Sequence, residues 1–239
     1  MHKKFEFFMV LCLFAASFLL ARKGAALVAA SEGLTASVGS SVTIVLDAGH
    51  GGNDPGKVGI NGCLEKDINL SLALRLQTLL ENQTYQVVMT RTTDITLGDS
   101  DSGSVKQSDL ENRIIIMEDA NPDFIISIHQ NSYTDSSVCG PQVFYYADSE
   151  EGKILASYLQ ESLNSSLEPE SPRNIKGNTD YYILKHSPAP AVIIECGFLS
   201  NPDEADLLTT SSYQDKVVRA IYYGIEDYIN SRSTNSNTE

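Results

Sequence analysis

The chain has 239 residues, 42% of them hydrophobic, with four histidines, four cysteines and a formal net charge of −14. That length suits one domain of ordinary size around a single core. Four of the 17 basic residues but only one of the 31 acidic ones fall in the first thirty positions, so the remainder is more acidic still, at −17. Such a balance excludes nucleic acid and an anionic lipid surface as natural partners.

The first thirty residues read as a separate unit. His2-Lys3-Lys4 is a basic start, positions 7–21 are apolar but short for a membrane span, and Arg22-Lys23-Gly24 leads into a small-residue run ending Val28-Ala29-Ala30. This is the order of an export signal, with residues 1–30 either cleaved there or kept as an N-terminal membrane anchor. The protein is therefore expected to be exported and extracytoplasmic, secreted or membrane-anchored, and to touch membrane only through this segment. Beyond Cys12, the thiols Cys63, Cys139 and Cys196 are odd in number, so no complete disulfide framework exists. They read as unpaired small hydrophobes, with a Cys63–Cys139 bridge as the alternative.

Further on, apolar β-branched runs alternate with helical spacing. Residues 42–46 read as a strand and 66–82 as a helix with Ile68, Leu72, Leu76, Leu79 and Leu80 along one side, followed by a strand at 85–90. Ser108-Asp-Leu-Glu111 has the form of a capping box opening a helix to about Ala120. Strands are expected at 124–128 and 142–147, and Asp148-Ser-Glu-Glu151 caps a helix to about Leu163. Residues 181–184 suit a short edge strand and 191–195 a central one. Asn201-Pro202 starts a short helix through Leu208, and 213–229 form the last. The stretches 97–107 and 164–179 are irregular and are expected to border a groove, while 231–239 read as a disordered polar tail. The alternation predicts an α/β fold: a single-domain open, mostly parallel twisted sheet with helices on both faces, spanning 42–230.

Four residues stand where buried segments end. His50 follows the first strand in Asp47-Ala-Gly-His50-Gly-Gly, Glu65 precedes the first helical pattern, His129 closes Phe124-Ile-Ile-Ser-Ile-His129, and Glu195 closes Ala191-Val-Ile-Ile-Glu195. In an open parallel sheet, strand C-termini and the following helix N-termini share one rim, where ligands bind. Two imidazoles and a carboxylate there suit one zinc ion with an open position, and His50, Glu65 and His129 are the candidate ligands. The helix dipole favours the ionised Glu65 a metal needs. Glu195 is then the candidate general base. Asp47 and Asn131 are placed to hold an imidazole N–H or to orient the site from behind the ligands, and Gly49, Gly51, Gly52 and Gly56 to let backbone approach a bulky substrate. Each residue has a duller reading, as a turn histidine, a helix-start carboxylate or a partner of a buried arginine. Four on one rim are not accounted for that way. Two histidines and one carboxylate also compose a non-heme iron(II) triad, a rival that the parallel pattern disfavours. His186 precedes a turn and reads as structural or exposed, and Cys196 as a packed thiol with no histidine to activate it.

The blocks Ile44-Val-Leu-Asp-Ala-Gly-His50-Gly-Gly-Asn-Asp-Pro-Gly56, Glu65-Lys-Asp-Ile-Asn-Leu70, Thr90-Arg91-Thr-Thr-Asp94, Ser127-Ile-His129-Gln-Asn131-Ser and Ile194-Glu195-Cys-Gly-Phe-Leu-Ser-Asn201-Pro resemble the zinc-dependent N-acetylmuramoyl-L-alanine amidases of bacterial cell walls. The resemblance runs from about Val42 to Ile229. It implies a peptidoglycan substrate, cleaved between the lactyl group of N-acetylmuramic acid and L-alanine. It also implies zinc on His50, Glu65 and His129, and catalysis by Glu195. Gln130 departs from the small residue many relatives have after the second histidine, a change expected to touch substrate fit rather than metal binding. A bare catalytic domain behind an export segment is similar to the sporulation-specific members of the family, which act in forming muramic-δ-lactam in the spore cortex. An accessory lipoprotein is a partner this reading allows. The alternatives are a vegetative autolysin or cell-separation amidase, a non-catalytic peptidoglycan-binding relative, and a zinc carboxypeptidase acting on the stem peptide.

Overall fold

A computed structural model describes residues 42–83 and 85–235. In chain order these form β1 (Thr43–Ala48), α1 (Glu65–Glu81), β2 (Gln86–Met89), α2 (Val105–Ala120), β3 (Phe124–Asn131), β4 (Gln142–Tyr146), α3 (Glu150–Leu167), β5 (Lys176–Asn178), α4 (Tyr182–His186), β6 (Ala191–Phe198), α5 (Pro202–Leu208) and α6 (Ser211–Asn235). The six strands make one sheet in the order β2-β1-β3-β6-β4-β5. All pairings are parallel except β4 with β6. The expected open, mostly parallel α/β sheet is the observed one.

Strand pleating sorts the side chains onto two faces. Ile44, Leu46 and Ala48 of β1, Phe124, Ile126 and Ile128 of β3, and Val192, Ile194 and Cys196 of β6 pack beneath α1, α3 and α6 in the larger core. Leu72, Leu76 and Leu80 on α1 recur every fourth residue and are fully buried in it, each contributing on the order of 2 kcal/mol. Val45, Ile125 and Ile193 face the other way, under Ile114 and Met117 of α2 and Ile183 and Leu184 of α4. Continuing each strand by two residues on this second face gives Asp47, Ser127 and Glu195, and His129 lies two beyond Ser127. The pleat thus gathers polar groups at one end of the smaller core.

The structure corrects four local expectations. α2 begins at Val105, and its cap is Ser104, whose side chain accepts from Gln107 N. Ser108 lies inside the first turn, where its hydroxyl accepts from Asp99 N and donates to Val105 O. Residues 181–184 are not a strand. The Asn178 side chain accepts from the amides of Asp180 and Tyr181 and turns the chain, after which α4 buries the adjacent Ile183 and Leu184 together. A strand would send these to opposite faces. The edge position belongs instead to β5, within a stretch expected to be loop, whose first residues complete α3. Finally, α6 continues to Asn235, past the point where a disordered tail was expected, and Arg232 lies over the Tyr228 ring at 5.5 Å.

Among the described residues no helix is long and apolar enough to cross a membrane. The expected export segment, residues 1–30, lies outside them.

Candidate metal centre

His129 and Glu195 are register partners across the parallel β3–β6 pair, so both side chains emerge on the α2 side of the sheet. The register shifts between His129 and Asn131, a bulge of the kind that re-aims side chains beside functional sites. His50 lies beyond the end of β1 with φ of 61°. Glu65 is the first residue of α1 and is 2% exposed.

These elements bring the three candidate ligands together. Glu65 Oε1 is 2.9 Å from His129 Nδ1 and 3.3 Å from His50 Nε2, and all three donor atoms lie within 4.8 Å of one another. Two imidazole nitrogens and a carboxylate oxygen fit the donor chemistry of a zinc site with one open position. The second nitrogen of His50, Nδ1, is 2.8 Å from Asp54 Oδ2, which fixes the ring so that Nε2 faces the cluster. Glu65 accepts from Lys57 N at Oε2 and from Gln130 N at Oε1, at 2.8 and 3.1 Å. Burial alone would raise its carboxyl pKa, but hydrogen bonds and charge from His129 and His50 outweigh it and hold Glu65 well below the usual carboxylate range.

Glu195 is held differently. It is 8% exposed, and its Oε2 has no hydrogen-bond partner among the described residues. Burial pushes its carboxyl up to about 7 and the nearby Glu65 adds to this, while the two imidazoles pull the other way. A carboxyl near neutrality with a free oxygen is the right kind of group to accept and return a proton. A cleft of about 690 Å³ opens over the four residues, with Leu110, Tyr181, Ile183 and Asn131 in its walls.

Several neighbours act otherwise than expected. Among the described residues Asp47 makes no hydrogen bond to a histidine: it is buried against Arg113, Ser127 and Thr90 at 2.6, 2.6 and 2.7 Å and bears on the site through Arg113. The Asn131 side chain accepts from Ser132 N. The glycines make room for the site itself. A Cβ on Gly49 would fall 2.2 Å from the His129 ring, and one on Gly56 2.5 Å from Glu65 Oε2, while Gly51 and Gly52 pack on the backbone of Ile95 and Thr96. Gln130 is 2% exposed at the cleft wall, and its side chain donates to Asn69 Oδ1. Cys63, Cys139 and Cys196 are free thiols. Cys196 is fully buried, and its pKa is driven far up, first by burial and then by Glu195. His186 is exposed and stacks on Tyr182. Asp54, Asn69 and Arg113, all in contact with the site or its loops, went unread in the sequence. Asp54 carried a local signal, an acid four residues after His50 within one glycine loop.

The N-acetylmuramoyl-L-alanine amidase family profile matches residues 44–227. The chain belongs to that family. It is 39% identical over 192 residues to the germination-specific N-acetylmuramoyl-L-alanine amidase of Bacillus subtilis strain 168, covering 79% of this chain and 80% of that protein. It is 32% identical over 188 residues to the N-acetylmuramoyl-L-alanine amidase LytC of the same strain, which covers 78% of this chain but 35% of that larger protein. Among solved structures, the CwlD amidase from Clostridioides difficile, in complex with the GerS lipoprotein, superposes with a TM-score of 0.77 at 39% identity, covering 80% of this chain and 100% of that one. The protein is accordingly an N-acetylmuramoyl-L-alanine amidase acting on peptidoglycan.

Proposed function

We propose that this amidase holds one zinc ion on His50, Glu65 and His129, and that Glu195 is its general base in cleaving the bond between the lactyl group of N-acetylmuramic acid and L-alanine. One observation carries the reading: three ligand atoms converge within 4.8 Å beside a buried carboxylate with an unpartnered oxygen. Zinc, when bound, supplies Lewis acidity toward the scissile carbonyl and makes water more acidic. The chain's own residues do the rest. Asp54 orients His50, Glu65 keeps its charge between the two imidazoles, and the Glu195 carboxylate takes the proton of the attacking water and returns it to the departing amine of L-alanine.

In the cell, the reading is cortex remodelling during sporulation, outside the cytoplasmic membrane, with peptidoglycan trimmed toward muramic-δ-lactam. Similarity to the germination-specific enzyme over most of both chains supports it. The lipoprotein in the complex of the similar CwlD amidase supports an accessory lipoprotein here. Mass spectrometry of peptidoglycan digested by the zinc-loaded protein tests the chemistry: intact stem peptides beginning with L-alanine should be released. Peptides trimmed at their C-termini and still attached to muramic acid would mean a carboxypeptidase. Deleting the gene tests the role. Spores should lack muramic-δ-lactam, whereas normal spores with a defect in vegetative cell separation would leave only the amidase chemistry.

A further inference from the structure

Where the chain leaves β1, three consecutive carbonyls are gripped by buried side chains. Arg91 Nε and Arg113 Nη1 both donate to Ala48 O, each at 2.9 Å. Gly49 O accepts from Arg91 Nη2 at 3.0 Å and from Asn69 Nδ2 at 3.1 Å, and His50 O from Arg113 Nη2 at 2.7 Å. Arg91 Nη2 also donates to Lys66 O at 2.9 Å, in the first turn of the helix that Glu65 opens. Both arginines are 2% exposed. Arg113 is matched by Asp47 and Asp109, each at 2.6 Å.

Two guanidiniums on one carbonyl repel each other, and burying them costs solvation that apolar packing would not. What they supply instead is direction, because a planar fork fixes the orientation of every carbonyl it binds. His50 needs that, since its left-handed backbone is one that a non-glycine residue holds only when its surroundings over-determine it.

We propose that Arg91 and Arg113 are positioning residues for the metal centre. Arg113 sets the backbone of His50, and Arg91 ties that loop to the start of α1, so His50 and Glu65 converge before any ion arrives. Neither arginine is one of the three clustered donor residues. The proposal rests on the metal reading above and extends it to residues that coordinate nothing.

The test uses the full chain in Arg91→Lys and Asp109→Asn variants, with Arg75→Ala, a surface ion pair with Asp215, as control. Zinc affinity is measured by chelator competition, site geometry by the absorption bands of the cobalt(II)-substituted protein, and folding by circular dichroism. Arg91→Lys should fold, bind zinc about 10–100-fold more weakly and shift the cobalt bands, with kcat lowered and KM barely moved. Asp109→Asn keeps both arginines and can still accept from Leu97 N and Thr96 Oγ1 through its amide oxygen, while the carboxylate oxygen facing Arg113 Nε becomes an NH2, so it should show the same changes to a smaller degree. Arg75→Ala should show none. Parental zinc affinity and cobalt spectrum in Asp109→Asn and in any folded Arg91→Lys overturn the proposal, and Asp109→Asn alone suffices if Arg91→Lys fails to fold. A parent that binds no zinc, or a His50→Ala variant that binds it as tightly as the parent, is a separate result that overturns the metal reading itself.

Discussion

His50 and Glu195 face the same cleft and are held there by opposite means. Glu195 sits inside β6, with His129 of β3 and Gln142 of β4 as register partners on either side, so sheet pairing alone sets the direction of its side chain. His50 stands beyond its strand in a left-handed conformation, and α1, α2 and the segment after β2 each send a side chain to keep it there. A strand residue inherits its position from the backbone ladder, while a loop residue borrows it from remote side chains. The two halves of the site should therefore fail differently.

The largest effects separate chemistry from position. His50→Ala and His129→Ala should lose most bound zinc and nearly all hydrolysis, because each removes one of the three proposed ligands. Glu195→Gln should keep zinc and fold, since an amide of the same shape fits β6, yet lose about 10²–10⁴-fold in turnover because it cannot accept a proton. Metal content by elemental mass spectrometry and turnover on purified peptidoglycan decide this. Full zinc occupancy in His50→Ala would remove it from the ligand set, and near-parental turnover in Glu195→Gln would place the base elsewhere.

Gly49→Ala sharpens the contrast from the backbone side. The added methyl would meet the His129 ring at 2.2 Å, and with Gly49 O held by Arg91 and Asn69 the loop has little freedom to retreat. Overpacking of this kind costs about 1–3 kcal/mol. Thermal unfolding should show that loss together with weakened zinc binding. A variant as stable and as metal-tight as the parent would show the loop to be far more compliant than its hydrogen bonds imply.

Acid should expose the network under the His50 loop. Burial alone would raise the Asp47 carboxyl, but Arg113, the Ser127 hydroxyl, the nearby His129 and the Thr90 hydroxyl outweigh it and hold it at about 2. A carboxyl depressed in the folded state stabilises fully above its ordinary value, about pH 4, and that contribution is lost as pH falls through the folded value. Here it amounts to about 2 kcal/mol, disappearing between about pH 4 and pH 2. Asp47→Asn should start less stable, because Arg113 loses a partner, but its thermal midpoint should then fall less steeply across that window. Equal slopes in the two proteins would put the acid sensitivity in other groups.

The same contrast explains what could be read from the sequence. Strands buried on both faces are near-continuous apolar runs, so a polar residue ending one stands out, and His129 and Glu195 were legible for that reason. Asp47, at the end of such a run, reads in the sequence as a partner for an imidazole, and only the fold shows that its partner is Arg113. Arg113 lies within Asn112-Arg113-Ile-Ile-Ile116 and looks like the polar side of an amphipathic helix until the tertiary fold turns it inward. Four apolar residues at 181–184 suit a strand or a helical turn equally, and only the Asn178 turn decides between them.

The smallest expected effect concerns the helix that carries Arg113. Ser108 matched the capping-box pattern, yet Ser104 caps α2, at 3.3 Å from Gln107 N. Ser104→Ala should cost about 1 kcal/mol and raise amide exchange at Gln107, in the first turn only. Arg113 lies two turns further on, fixed by Asp47 and Asp109, so zinc affinity should stay at the parental value. Ser108→Ala should instead free the amide of Asp99, whose bond to the Ser108 hydroxyl measures 2.8 Å, and leave the exchange of Gln107 unchanged. If Ser104→Ala weakened zinc binding as much as Arg91→Lys, the hold on His50 would depend on the whole of α2 rather than on the arginine forks. The loop would then differ from the strand in degree and not in kind.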